Sequence, residues 1–172
     1  MKIRAMLVAA ATLGVTLTGS PAQAFDWGQA IESADDPKGK IIEVVNKMPA
    51  KWEVRTAVNF IDKYTTSRVK YVGKCSGKAW RCVTIKPGKI GGAPTGMWYG
   101  KSQTIVVDLA KVKRYGLNNA KFRKYLIAHE FGHSRGLPHS HGRNVMYQYA
   151  KRQGSYLPLA LNRDQRVTLK RY

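Results

Sequence analysis

Apolar side chains fall into two rhythms along this chain, and the rhythms divide it into elements. Trp52, Val54, Ala57, Val58, Ile61 and Tyr64 recur at steps of three and four, which predicts an amphipathic helix over 51–66. Before it, the β-branched run Ile41–Asn46 predicts a first strand, closed by Pro49. After it, 68–75 and 81–86 predict two short strands joined through the loop between Cys75 and Cys82. Pro87-Gly88 and Gly91-Gly92-Ala93-Pro94 mark turns. Gly96–Tyr99 and 103–109 predict two further strands, joined around Gly100, Lys101 and Ser102. Asn118 or Asn119 is placed to cap a second helix, along which Phe122, Tyr125, Leu126, His129 and His133 repeat at helical spacing. A polar loop over 140–143, a short turn over 144–147 and an irregular stretch over 154–158 follow. Asn162, with Gln165 three residues on, forms a capping box for a closing helix to Arg171.

The N-terminal region lies outside this pattern. Lys2 and Arg4 precede an apolar run from Ala5 to Thr18, and Ala22-Gln23-Ala24 has the small residues of a cleavage site. Residues 1–24 therefore read as a secretory signal peptide, too short in its apolar run for the roughly 20 residues of a bilayer span. Residues 25–40 read as an acidic arm or short pro-segment, and 41–172 as a single domain. In an exported chain, Cys75 and Cys82 are expected to form a disulfide that closes a short hairpin.

Charge changes the picture of partners. The 172 residues carry 30 Lys and Arg against 10 Asp and Glu, and four of the acids (Asp26, Glu32, Asp35, Asp36) precede Lys38. From Lys38 onward 28 basic residues face six acids, a field that would draw the protein to anionic polymers such as cell-wall material. No nucleic-acid-binding motif accompanies it, so specific nucleic-acid binding is not expected. A monomer is expected.

The chemistry concentrates in one stretch. All four histidines lie between 129 and 141. His129 and His133 are four apart, so a helix projects both from one face toward a single ion. Gly136 and Pro138 would end the helix and return His139 as a third ligand. Three protein ligands leave a fourth position open, as in a catalytic zinc site, and Glu130 stands beside the first ligand as a general base. One catalytic zinc ion is the expected cofactor.

These residues resemble the metzincin clan of zinc metallopeptidases, whose HExxHxxGxxH signature and Met-turn are matched by His129 to His139 and Met146. Gly136 to Ser140 and Asn144 to Tyr147 look most like the matrixins; the small size and export signal look like secreted neutral proteases of the snapalysin kind. The latter place an Asp where this chain has His139. The resemblance implies an α+β fold, with a twisted mixed β-sheet, an active-site helix, a Met-turn and a C-terminal helix. It implies a secreted zinc endopeptidase acting on polypeptides, with Met146 as an apolar floor under the ligands and Gly96, Met97, Trp98 and Tyr99 as the substrate-binding edge strand. Departures are visible. There is no cysteine-switch propeptide, no further histidines remain for a structural zinc, and six acids after Lys38 argue against structural calcium. Ser134 and Arg135 replace small and apolar residues, and Tyr147 and Tyr149 do not stand at the position where some metzincins use a tyrosine ligand. Lys151 and Arg152 read as solvated surface or as a preference for an acidic side chain, and Asp108 as a brace for a ligand or a turn cap. Two other classes fit the same residues: a basic secreted binding or antimicrobial protein with a structural zinc, and a zinc amidase acting on cell-wall peptides.

Overall fold

The computed structural model describes residues 39–141, 143–147 and 159–170. The expected signal peptide, the acidic arm up to Lys38, the segment carrying Tyr149, Lys151 and Arg152, and the closing Arg171 and Tyr172 lie outside the described residues.

Five strands form one mixed sheet. They are β1 (Ile41–Asn46), β2 (Arg68–Val72), β3 (Arg81–Pro87), β4 (Gly96–Tyr99) and β5 (Thr104–Val107), in the order β2-β1-β3-β5-β4. β1, β2, β3 and β5 run parallel, and β4 turns back antiparallel at one edge. β1 is flanked on both sides and covered on both faces, so Ile42 through Val45 are all buried, which is why its sequence is a continuous β-branched run. The pair 96–99 and 104–107 is the predicted hairpin.

The expected hairpin between β2 and β3 is not formed. Both strands pair in parallel with β1 and stand on opposite sides of it, so their connection must cross β1. Trp80 donates its N–H to Ile41 O at 3.1 Å, and Ser76 donates its N–H to the Glu43 carboxylate at 2.7 Å. The Cys75–Cys82 disulfide is present, and it ties this crossing loop to β3.

Helix α1 (Val54–Asp62) and helix α3 (Ala120–Ser134) pack on each other, with α1 also against β2 and α3 against β4. Ile42, Val44, Val83, Ile85 and Ile105 from the sheet share one core with Ala57, Val58, Ile61, Ile127 and Phe131 from the helices. Each of these side chains larger than alanine contributes about 1.5–3 kcal/mol on burial. The predicted helix over 51–66 is shorter and divided: a 3-10 turn (Ala50–Trp52) precedes α1, and Glu53 between them is left-handed, with φ 46°. At the far end the Thr65 hydroxyl donates to Asp62 O at 2.9 Å and ends the helix early. A short helix α2 (Leu109–Arg114) opens at Leu109, the residue expected to end the strand over 103–109. Asp108 caps it, accepting Lys111 N–H at 3.0 Å, which settles the role of that residue as a cap. Helix α4 (Arg163–Leu169) starts with the predicted capping box of Asn162 and Gln165.

Glu43 is an acid buried in the middle of the sheet, in register with Lys70 of β2. Hydrogen bonds from Ser76, with the Lys70 charge adding to them, hold its carboxyl below the ordinary glutamate value. A depressed folded pKa stabilises the fold above the unfolded value, and that stability is lost as pH falls through the folded pKa. Thermal unfolding followed by circular dichroism across the acid range should therefore show wild-type Tm falling below the ordinary glutamate range, with a shallower acid limb in Glu43→Gln.

Candidate metal centre

Helix α3 begins where the Asn119 side chain accepts Phe122 N–H at 2.9 Å, which sets the register of everything after it. Phe122, Tyr125, Leu126, His129 and His133 fall on the core side, and every residue from Tyr125 to Ser134 is buried. The helix ends at Ser134. Gly136, with φ 80°, turns the chain, while Leu137 N–H donates back to Gly132 O at 3.0 Å and Gly136 N–H to His133 O at 2.9 Å. That reversal brings His139 back beside the helix.

The three imidazoles converge. His133 Nε2 lies 3.1 Å from His129 Nε2 and 3.1 Å from His139 Nε2, and one ligand atom from each ring falls within 4.8 Å of the others. The opposite nitrogens explain this aim. His129 Nδ1–H donates to Val145 O at 2.7 Å, and His133 Nδ1–H donates to Leu137 O at 2.7 Å. With Nδ1 carrying the proton, each Nε2 presents a lone pair, and two lone pairs 3.1 Å apart repel unless a cation lies between them. Tetrahedral zinc with bonds of about 2.0–2.1 Å needs neighbouring nitrogens about 3.3 Å apart, close to the spacing found. Burial pushes His129 down to about 4, His133 well below its ordinary value, and His139 down as well. Neutral imidazole is the ligating form, so the donor set fits a divalent transition metal.

Glu130 leaves the helix beside His129 and packs against β4. Burial pushes its carboxyl up to about 8, opposed by a hydrogen bond from the Trp98 backbone. A Cβ at Gly96 would stand 2.9 Å from Glu130 Oε1 and 2.9 Å from Leu126 Cδ1, so a larger residue there would have to displace the carboxyl or the Leu126 side chain. Met97 is half-buried, Trp98 is buried and Tyr99 is exposed on the same strand.

The turn at 144–147 forms the other wall. Tyr147 N–H donates to Asn144 O at 3.1 Å, and Met146 is fully buried, with its Sδ 2.6 Å from where a Cβ on Gly132 would stand. Tyr125 Oη donates to Tyr147 O at 2.6 Å and lies 3.4 Å from His129 Nδ1. Three donors meet at one oxygen, Asn144 Oδ1: Ser140 Oγ at 2.8 Å, Met146 N–H at 2.9 Å and Gln165 Nε2 at 3.2 Å. Ser140 N–H closes the ring on Met146 O at 2.9 Å. Asn144 thus ties the carbonyl that orients His129 to the segment after His139 and to the first turn of α4. Sequence reading took Asn144 only for a turn residue; the signal available was a buried-side polar residue within reach of a capping glutamine, which requires knowing the fold.

Arg135 is buried under the helix. It donates to the Ser67 hydroxyl and lies 6.0 Å over the Trp80 ring, while Ser134 Oγ donates to Phe131 O at 2.6 Å. These two departures from the resemblance are therefore packing and hydrogen-bonding residues.

No family model matches this chain, and no curated protein matches it. Among solved structures, a zinc-dependent peptidase from Methanocorpusculum labreanum (strain Z) aligns at a TM-score of 0.43 and 14% identity, over 76% of this chain and 94% of that one.

Partners of metal-binding histidines typically govern affinity by about 10- to 100-fold. Asn144→Ala is expected to weaken transition-metal affinity by about that factor, measured by competition with a chromogenic chelator, with the far-ultraviolet circular dichroism unchanged.

Proposed function

We propose that this protein is a secreted zinc-dependent endopeptidase, with His129, His133 and His139 as the ligands of one zinc ion and Glu130 as its general base. The observation that carries the reading is the convergence of three Nε2 atoms whose two inner rings are held in the ligating tautomer, next to a buried carboxyl that is not one of the three. When bound, zinc supplies a Lewis acid that acidifies water and polarises a carbonyl. In its ionised form, Glu130 takes a proton from the attacking water and delivers it to the nitrogen of the departing amine. The Trp98 N–H holds the Glu130 carboxyl in place for both transfers. An extended substrate adds to the outer side of β4 through the backbone of Gly96 to Tyr99, a role supported by the position of β4 at the sheet edge and by its contact with Glu130. Met146, seated against Gly132, serves as the apolar floor of the ligand set in the Met-turn manner.

Export is supported by the leader-like 1–24 and by the disulfide. The 28 basic residues against six acids after Lys38 also favour a second reading, in which the same chemistry cuts cell-wall peptide cross-links. Purified wall material assayed beside an unfolded protein separates the two.

The deciding measurement is hydrolysis of an unfolded protein by the mature chain, with and without chelator, beside Glu130→Gln. The variant should retain its zinc and lose about 10²- to 10⁴-fold in kcat/KM; a wild type that holds zinc and cleaves nothing defeats the reading. Gly96→Ala should also lower kcat at unchanged zinc content, because its methyl displaces the Glu130 carboxyl, and metal analysis with steady-state kinetics checks this.

A further inference from the structure

Lys111 carries its ammonium into the protein interior. Nζ donates to the carbonyls of Ile90 and, at 2.6 Å, Gly92; Pro94 O lies at 3.3 Å and Gly91 O at 3.5 Å. Residues 91–94 are all exposed, while the carbonyls of Gly91, Gly92 and Pro94 turn inward on one point. Backbone wraps a hard cation in this manner, and Gly92, with φ 62°, allows the successive carbonyls to face one centre. An ammonium offers three protons and no acceptor, so this ring of oxygens satisfies it completely.

Asp108 completes the arrangement. Its Oδ2 stands 3.9 Å from Nζ and accepts Ile90 N–H at 3.2 Å, its Oδ1 accepts Lys111 N–H, and its own N–H donates to Thr95 O at 2.9 Å. Lysine and aspartate together balance charge inside the cage. They also grip the loop at both ends, at Ile90 and at Thr95. The next residue is Gly96, where β4 meets Glu130.

We propose that Lys111 is a resident cation. Its ammonium fills a carbonyl cage that would otherwise call for a bound metal ion, and with Asp108 it acts as a positioning residue that sets β4 against Glu130 and toward the substrate. The substrate clause rests on the peptidase reading; the cage does not. Lys111→Met keeps the apolar stem and removes the charge, so the loop loses the centre on which its carbonyls converge.

Hydrogen exchange read by mass spectrometry over 88–99 tests the cage. Lys111→Met should exchange at least about tenfold faster there than wild type, with zinc content and exchange in β1 and β3 unchanged. Lys111→Ala should recover protection on addition of propylammonium, which restores an ammonium without the tether. KM for a peptide substrate should rise by about tenfold in Lys111→Met, with kcat changed less. Unchanged exchange over 88–99 overturns the resident cation, whatever the peptidase activity. Wild type that cleaves no peptide, with accelerated exchange in the variant, removes the substrate clause together with the peptidase reading and leaves the cage standing. If Lys111→Met does not fold, acylation of native wild type by an amine-reactive ester decides: Lys111 resisting modification while exposed lysines react supports the cage, and ready modification overturns it.

Discussion

Two backbone carbonyls, Val145 O and Leu137 O, hold the protons of His129 and His133 on Nδ1, and the candidate centre depends on this constraint. An imidazole with free choice of tautomer and rotation has no preferred aim. Once each ring is tied through one nitrogen, the other must point where the geometry sends it, and both point at the same place. Leu137 O is delivered by the turn that ends α3, and Val145 O by a separate turn. The aim of the rings is thus set by the chain reversal after the helix and by a loop eight residues beyond it.

Support for that second loop comes from far along the chain. Gln165 both closes the cap of α4 through Asn162 and donates to Asn144 Oδ1, while Val145 N–H donates to Ala160 O. A short closing helix with little apolar surface is explained by this duty: its first turn is a hydrogen-bonding platform for residues 144–146, and Leu169 alone inserts fully into the core. On the opposite side of α3, Asp108 and Lys111 do comparable work for the segment that leads into β4. Helix α3 supplies His129, Glu130 and His133, the turn after it supplies His139, and the segments on either side hold their partners.

Features that were legible in the sequence are those governed by near neighbours. Asn119 and Phe122, Asn162 and Gln165, and Gly136 after the second histidine each act over three or four residues, so spacing alone announced them. The two periodicities likewise placed β1, β4 and α3. What escaped depends on contacts that spacing does not encode. The connection from β2 to β3 crosses β1, and a hairpin reading failed because adjacency in sequence is not adjacency in a parallel sheet. Leu109 reads as the end of a strand because the helix it opens is only six residues long and starts at the hydrogen bond between Asp108 and Lys111. Glu53 broke the first helix by adopting a conformation rare for its residue type. The wider roles of Asn144 and Lys111 were not legible, since the partners that define them, Gln165 and the carbonyls of 90–94, lie 17 to 21 residues away.

The sheet's two outer strands are dressed differently. β2 exposes Arg68 and Lys70, and Arg55 of α1 lies 4.3 Å over its Tyr71 ring, whereas β4 carries no charged residue. Cations along a border repel a second border of the same kind, so copies of this chain are discouraged from joining β2 to β2. An incoming strand meets no such repulsion at β4. Like charge thus sets a cost on joining two molecules through the β2 border, while the uncharged border at β4 carries no such cost.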